Sequence, residues 1–168
     1  MRTNLKRIAI IPARGGSKRL PRKNIAEISG KPIIYWTIKA AIESKLFEEV
    51  FVSTEDEEIA NIVENCNLKV KVLRRELELA GDHIGVVEVF LKHLHELNLK
   101  GKFYDQIFCL YPTAPLRNSR DLIEISNIFD NNANADAVFA ATTFSHYPFQ
   151  ALSINTNNEA KAFWPELV

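Results

Sequence analysis

The sequence contains little cysteine and has no excess of either charge. It has two cysteines in 168 residues, and Cys66 and Cys109 lie too far apart to form a zinc or redox motif. Lysine plus arginine and aspartate plus glutamate both number 21, so the formal net charge is zero. Proteins that bind nucleic acid or membrane surfaces through charge carry a basic excess. We therefore expect neither partner, and any electrostatic function must be local.

Long hydrophobic runs are also missing. The apolar run after the basic N-terminus is only Ile8–Ile11, whereas a secretory signal needs about 7–15 apolar residues. No stretch approaches the roughly 20 apolar residues of a membrane-spanning helix. These absences predict a cytoplasmic protein. A chain of 168 residues with 46% apolar content is long enough to bury a sizeable core as one domain.

Short apolar runs alternate with helical patterns along the chain. The runs predict strands at Ile8–Ile11, Val50–Val52, Lys69–Leu73, Ile107–Leu110 and Ala137–Ala141. Helices are predicted between them, over 32–44, from a capping box at Thr54–Glu57 to about Asn65, and around 87–94 and 122–129. The order predicts an α/β fold, a three-layer sandwich with a mostly parallel central sheet. A final hairpin is predicted around a turn at Asn157–Asn158.

A basic loop with adjacent glycines follows the first predicted strand. Residues 12–24 contain no acidic residue and five basic ones: Arg14, Lys18, Arg19, Arg22 and Lys23. Gly15 and Gly16 allow backbone N–H groups to approach an anion closely. Sheets of this kind bind ligands beyond the carboxyl ends of their strands. The loop is therefore predicted to bind phosphate.

Two common phosphate loops do not fit these residues. The P-loop pattern requires two glycines five positions apart followed by Lys and Ser/Thr, which Gly15 and Gly16 do not supply. The dinucleotide-binding pattern requires a third glycine where Arg19 or Leu20 stands. A nicotinamide dehydrogenase stays open as a minor alternative, because Glu55 follows the second strand as a ribose-binding acid would. The simpler interpretation of Glu55–Glu58 is a group of solvated or helix-starting acids.

The segment Ile11–Asn24 resembles the signature loop of the acylneuraminate (CMP-sialic acid) cytidylyltransferase family. Further segments are similar in the same order along nearly the whole chain: Gly30–Pro32, Val52–Glu55, Val72–Arg74, Leu79–Asp82 and Tyr111–Arg117. The resemblance implies the Rossmann-like fold of nucleotide-diphospho-sugar transferases.

The resemblance also implies a reaction and its residues. The anomeric hydroxyl of a nonulosonic acid would attack the α-phosphorus of CTP and release pyrophosphate with the assistance of Mg²⁺. Such transfers depend on positioning and charge neutralisation, which would fall to Arg14 and Lys23 as catalytic residues. The resemblance implies nucleotide contacts from Ala13, Arg14, Gly15, Gly16, Ser17, Lys23, Asn24, Arg74 and Asp82. Tyr111 and Thr113 would face the sugar. Whether Arg74 or its neighbour Arg75 points inward stays open.

Tyr111 stands where sialic-acid members of the family usually carry Gln. Together with residues 147–152 and 163–166, it resembles the pseudaminic acid branch, and sialic and legionaminic acid remain alternatives. A CMP-KDO synthetase-like transferase and a nucleotide-binding fragment without turnover also remain open.

No aspartate in the chain matches the family's metal-binding aspartates, which lie further along. We therefore expect residues 1–168 to be a single nucleotidyltransferase domain that is truncated, with its metal ligands beyond Val168. Residues 145–168 are expected to begin a hairpin element through which the full-length protein forms a homodimer.

Overall fold

The computed structural model describes residues 5–17, 20–81, 83–143 and 151–165. The chain divides into two compact units, Met1–Asp136 and Ala137–Val168. The first unit contains these strands and α-helices: β1 Arg7–Pro12, β2 Glu27–Ile28, β3 Lys31–Pro32, α1 Ile33–Ser44, β4 Glu49–Thr54, α2 Glu57–Glu64, β5 Lys71–Arg74, α3 Val86–Leu99, β6 Gln106–Cys109 and α4 Ser119–Asp130.

The main sheet has four parallel strands in the order β5-β4-β1-β6. In β1, Ile10 is paired with Phe51 of β4 on one side and with Cys109 of β6 on the other. The side chains of Ile8–Ile11 have no solvent exposure. A strand that is covered on both faces needs apolar residues at every position, which explains the unbroken apolar run in the sequence.

Helices cover both faces of this sheet. Ala9 and Ile11 pack into one apolar cluster with Ile34 and Ile38 of α1, and residues of α2 and α4 belong to the same cluster. Ile8 and Ile10 pack on the opposite face with residues of α3. Because successive side chains of a strand point to opposite faces, β1 joins the two clusters. The predicted three-layer sandwich with a parallel central sheet is confirmed.

The strand order places a crevice beside β1. From β1 the chain proceeds to β4 and β5 on one side, and it then returns to β6 on the other side. In open parallel sheets, ligands bind at such a reversal of strand order, outside the carboxyl ends of the strands. The loop that follows β1 and the segment that follows β6 both lie there.

The start of α2 differs from the prediction. The capping residue is Asp56, whose Oδ1 accepts from the N–H of Ile59 at 3.0 Å. The Thr54 hydroxyl instead accepts from the N–H of Asp56 at 3.1 Å. The capping box predicted at Thr54–Glu57 is wrong because β4 extends through Thr54, which leaves Asp56 as the first residue that can cap the helix.

The second unit contains the predicted hairpin, formed by β7 Leu152–Ile154 and β8 Ala160–Ala162. Asn158 has φ 61° in the connecting turn, a conformation that asparagine tolerates better than most residues. The strand predicted at Ala137–Ala141 is wrong, because this run pairs with no described strand and Phe139 is 82% exposed. Residues 144–150 lie outside the described ranges. No helix in the described part of the chain is both long and apolar enough to span a membrane.

Candidate functional site

A cavity of about 510 Å³ lies at the carboxyl ends of β1, β5 and β6. Its volume falls within the range of small-molecule sites, roughly 300–1,000 Å³. Three segments of the first unit line it: the loop after β1, the segment from the end of β5 into α3, and the residues after β6. These segments are distant in sequence and meet because their strands belong to one parallel sheet, so their carboxyl ends lie at the same edge.

The loop after β1 contributes Arg14, Ser17, Lys23 and Asn24 to the cavity wall, all four of them predicted site residues. Asn24 is buried, and its Nδ2 donates to the carbonyl oxygen of Arg14 at 2.9 Å. The N–H of Ser17 donates to the carbonyl oxygen of Gly15 at 2.9 Å. The loop therefore folds back on itself, and Arg14 and Lys23 both line the cavity.

Two of the remaining predicted loop residues, Ala13 and Gly15, use their backbone N–H groups for contacts within the protein. Ala13 is fully buried, and its N–H donates to the carbonyl oxygen of Ser53 at 2.9 Å. The N–H of Gly15 donates to Glu55 Oε1 at 2.8 Å. A carboxylate thus already occupies the amide that we expected to bind phosphate. Ala13, Gly15 and Gly16 are not part of the cavity lining.

Gly15 has a packing reason to be glycine. A Cβ built on it would overlap the carboxylate of Asp56, whereas a Cβ on Gly16 would meet open space. The loop therefore lies against the start of α2 at Gly15, where there is no space for a side chain.

The charge of the loop is partly compensated by the start of α2. Arg22 Nη2 donates to Asp56 Oδ1 at 2.9 Å, and Arg22 also pairs with Glu58. The hydrogen bond from Arg22 holds the pKa of Asp56 below its ordinary value. Lys18 and Arg19 lie outside the described residues. Among the described basic residues of the loop, Arg14 and Lys23 are those that line the cavity.

Arg75, and not Arg74, lies in the second wall. The Arg75 side chain is 4% exposed, and its Nε and Nη2 donate to Glu55 Oε2 at 2.8 and 2.6 Å. Arg74 is on the surface, where its Nη1 lies 2.8 Å from Glu57. The predicted Arg74 is therefore not part of the cavity lining: Thr54 is paired with Arg74 in the sheet, so the following residues, Glu55 and Arg75, meet beyond the strand ends.

The rest of this wall is mainly apolar. Its side chains come from a short 3₁₀ helix, Leu77–Ala80, from Ile84 in the segment that follows it, and from the start of α3. The apolar residues are Leu79, Ala80, Ile84, Val86 and Val89. Gly81 also lines the cavity, and the predicted Asp82 lies outside the described residues. Sequence reasoning missed Ile84, Val86 and Val89, although an apolar start of a helix at the carboxyl edge of the sheet could have indicated them.

The third wall follows β6 and contains Tyr111, Pro112 and Thr113. Tyr111 is 52% exposed, and the partial desolvation of its hydroxyl together with the neighbouring Cys109 raises the pKa of Tyr111 above its ordinary value. Arg117 Nη2 donates to the carbonyl oxygen of Tyr111 at 3.1 Å and steadies this segment. The two residues expected to face the sugar therefore share a cavity with Arg14 and Lys23.

The described residues do not fit a magnesium site. No three His, Cys, Asp or Glu side chains in the described ranges lie close enough to hold a metal ion. The cavity lining itself contains no carboxylate, and carboxylate oxygens are the protein ligands that Mg²⁺ prefers.

A buried Ser–His pair lies apart from the cavity lining. Ser53 Oγ and His93 Nε2 are 2.8 Å apart, and both residues are at most 1% exposed. Burial lowers the pKa of His93, so the neutral imidazole is favoured. Substrate cannot reach a pair enclosed in this way, and we assign it to packing.

Comparison with known proteins agrees with this geometry. The family model for cytidylyltransferases matches residues 8–164. The chain is 39% identical over 160 residues to a pseudaminic acid cytidylyltransferase of Campylobacter jejuni, covering 95% of this chain and 68% of the relative. It is 39% identical over 124 residues to a CMP-N,N′-diacetyllegionaminic acid synthase of Legionella pneumophila, covering 72% of this chain and 53% of the relative.

A similar solved structure is CMP:2-keto-3-deoxy-manno-octonic acid synthetase complexed with CTP. It superposes with a TM-score of 0.63 at 26% identity and covers 77% of this chain. The chain spans 49% of the length of that structure. The family match extends over nearly all of the chain, from β1 to the hairpin of the second unit. The chain belongs to the cytidylyltransferase family.

Proposed function

We propose that this protein transfers CMP from CTP to a nonulosonic acid, with pseudaminic acid as the preferred substrate, and releases pyrophosphate. The observation that carries the proposal is one cavity that is lined by Arg14 and Lys23, by a largely apolar wall, and by a third wall of Tyr111 and Thr113. The first wall suits a triphosphate, the second a pyrimidine base and the third a sugar.

In the proposed reaction, an oxygen of the sugar hydroxyl forms a bond to the α-phosphorus of CTP. The bond from that phosphorus to the bridging oxygen of the β-phosphate breaks, pyrophosphate leaves with the bonding electron pair, and the hydroxyl proton passes to water. Negative charge grows on the leaving group, where two cations can neutralise it. Arg14 and Lys23 supply that charge, and Asn24 holds the loop in the shape that keeps them together.

The second wall supports a base subsite. The apolar side chains of Ile84, Val86 and Val89 can pack on one face of a pyrimidine ring. Arg75 lies beside them and offers N–H donors for polar atoms of the nucleotide. Arg75 therefore takes the nucleotide-binding role that the sequence had assigned to Arg74.

The names of the relatives guide the choice of sugar. The Campylobacter relative is named for pseudaminic acid and the Legionella relative for a diacetyllegionaminic acid. The solved structure that acts on an eight-carbon acid is less similar, at 26% identity. The nine-carbon acids are therefore proposed ahead of KDO.

The proposal also includes a divalent metal ion, in our expectation Mg²⁺, and a homodimer in the cytoplasm. Because no described residues would hold the ion, none of the steps above depends on it. The role of residues 145–168 in pairing two subunits stays a prediction.

The test is pyrophosphate release by the protein as its gene encodes it, with CTP, Mg²⁺ and pseudaminic, sialic, legionaminic or KDO acid supplied separately. We expect release that requires both CTP and a nine-carbon acid, and little release with ATP. Preference for KDO would select the eight-carbon alternative. If the protein binds CTP but forms no product with any of the four sugars, it is a nucleotide-binding module without turnover.

A further inference from the structure

Glu55 joins two walls of the cavity. Its Oε1 accepts from the backbone N–H of Gly15 at 2.8 Å, and its Oε2 accepts from Nε and Nη2 of Arg75 at 2.8 and 2.6 Å. Gly15 belongs to the loop after β1, whereas Arg75 follows β5. One carboxylate thus connects segments that are 60 residues apart in the sequence.

This contact is buried, unlike the neighbouring acid–base contacts. The Glu55 and Arg75 side chains are 9% and 4% exposed. For comparison, the side chains of Arg74 and Glu57, which form the pair nearby in sequence, are 46% and 77% exposed. Surface pairs fix side chains weakly because water competes with them, whereas a buried charged hydrogen bond constrains geometry strongly.

The hydrogen bonds from Arg75 to Glu55 also determine which part of the Arg75 guanidinium faces the cavity. Glu55 occupies the edge of the guanidinium formed by Nε and Nη2. Because the guanidinium is planar and has five N–H donors in a fixed arrangement, binding one edge sets the direction of the others. Arg75 lines the cavity, so the donors on its Nη1 side are those that a ligand would meet.

We propose that Glu55 is a positioning residue, which aims Arg75 at the bound nucleotide and holds the glycine loop at the matching distance. The inference rests on the proposed function, because the ligand is taken to be CTP. It does not make Glu55 a catalytic residue, since both its oxygens are engaged by the protein. The acid earlier interpreted as solvated or helix-starting thereby acquires a role in the site.

The substitution Glu55→Gln tests this directly. Glutamine has nearly the same shape but offers only one acceptor oxygen and an NH₂ group. It can accept from Gly15 or from Arg75, and not from both. We expect the Kd for CTP, measured by isothermal titration calorimetry, to rise about tenfold or more. The matched control is Glu57→Gln, which makes the same chemical change in the exposed pair with Arg74 and should leave the Kd unchanged.

A double-mutant cycle separates positioning from a general effect on folding. If Glu55 acts through Arg75, Glu55→Gln should change CTP affinity by less than about twofold in an Arg75→Ala background. Arg75→Lys gives a second route if Glu55→Gln does not fold, because lysine keeps the charge and cannot offer two parallel donors. We expect Arg75→Lys to weaken CTP binding as well. In steady-state assays, Glu55→Gln should raise the KM for CTP and leave the KM for the sugar unchanged.

Two results would overturn the inference: wild-type CTP affinity in a folded Glu55→Gln or Arg75→Lys variant, or an undiminished effect of Glu55→Gln in the Arg75→Ala background. Both leave the proposed function intact if the wild-type protein binds CTP. Failure of the wild-type protein to bind CTP would instead defeat the proposed function itself.

Discussion

The side-chain amide of Asn24 donates to the carbonyl oxygen of Arg14 at 2.9 Å. This hydrogen bond spans the loop after β1, from which Arg14 and Lys23 both line the cavity. Asn24 is buried, with 6% exposure, so water cannot readily replace the bond if it is lost. Asn24 is therefore one of the side chains that hold the shape of the loop, together with Glu55 at Gly15.

Replacing Asn24 with alanine should weaken CTP binding by roughly 5- to 30-fold, which corresponds to about 1–2 kcal/mol. The reason is that the Arg14 carbonyl loses its partner and the loop can open. Calorimetric titration with CTP measures the effect. The control is Asn61→Ala on the exposed side of α2, which should bind CTP normally. Unchanged affinity in Asn24→Ala would show that the loop is held by other contacts.

Replacing Lys23 with alanine should reduce kcat by two or more powers of ten, since groups that neutralise developing charge contribute roughly 2.7–4 kcal/mol. The KM for CTP should change less than kcat if the charge acts mainly in the transition state. The measurement is steady-state pyrophosphate release. Lys39→Ala, which removes an exposed lysine paired with Glu43 on α1, serves as the control. A variant as fast as the wild type would exclude Lys23 from the mechanism.

Gly15 and Gly16 should respond differently to alanine. A Cβ at Gly15 would overlap the Asp56 carboxylate, whereas Gly16 faces open space. We expect Gly15→Ala to lower the free energy of unfolding by about 1–3 kcal/mol, as is typical of overpacking, and Gly16→Ala to change it by less than about 0.5 kcal/mol. Urea unfolding of both variants checks the difference. Equal stability of the two would mean that Asp56 can move aside without loss.

The ionisation of Glu49 makes the stability of the fold depend on pH, and Glu49 does not line the cavity. Burial opposes its charged form, but hydrogen bonds from Lys71, Tyr104 and Lys102 outweigh burial and lower the pKa of Glu49 from 4.5 to about 2. A carboxyl whose pKa is lowered by folding stabilises the fold at pH values above the pKa that it has in the unfolded chain. That stabilisation is lost as the pH falls from about 4.5 towards 2. Its upper bound is roughly 3 kcal/mol.

We therefore expect Glu49→Gln to be less stable than the wild type by about 1–3 kcal/mol at pH 7 and nearly equal to it at pH 2. Chemical unfolding at several pH values between 2 and 7 measures this difference. Glu48→Gln is the matched control, because Glu48 is the exposed neighbour in sequence. A stability difference that does not depend on pH would contradict the assignment to ionisation.

The sequence was most informative where the signal is local. The apolar runs at Ile8–Ile11 and Val50–Val52 predicted β1 and β4 because a strand covered on both faces cannot tolerate polar residues. The basic loop and its position after β1 predicted the side of the sheet at which the cavity lies. The run at Ala137–Ala141 looked equally strand-like, but a strand also needs a partner, and composition contains no information about partners.

The differences between the predicted and the observed placement of site residues have the same origin. Arg74 and Arg75 are chemically identical neighbours, and only the pairing of Thr54 with Arg74 determines which of them reaches the cavity. Glu55 looked like one of several surface acids because its partners, Gly15 and Arg75, are distant in sequence. Contacts of this kind depend on the register between strands, which a single sequence does not reveal.

The interior position of β1 has a consequence for how new specificities can arise. The loop that holds Arg14 and Lys23 lies between the segments that follow β4 and β5 on one side and the segment that follows β6 on the other. Substitutions around Tyr111 and Thr113 can therefore accumulate without disturbing the backbone next to Arg75. In such an arrangement, proteins descended from one ancestral chain can change the sugar that they use and still bind the same nucleotide.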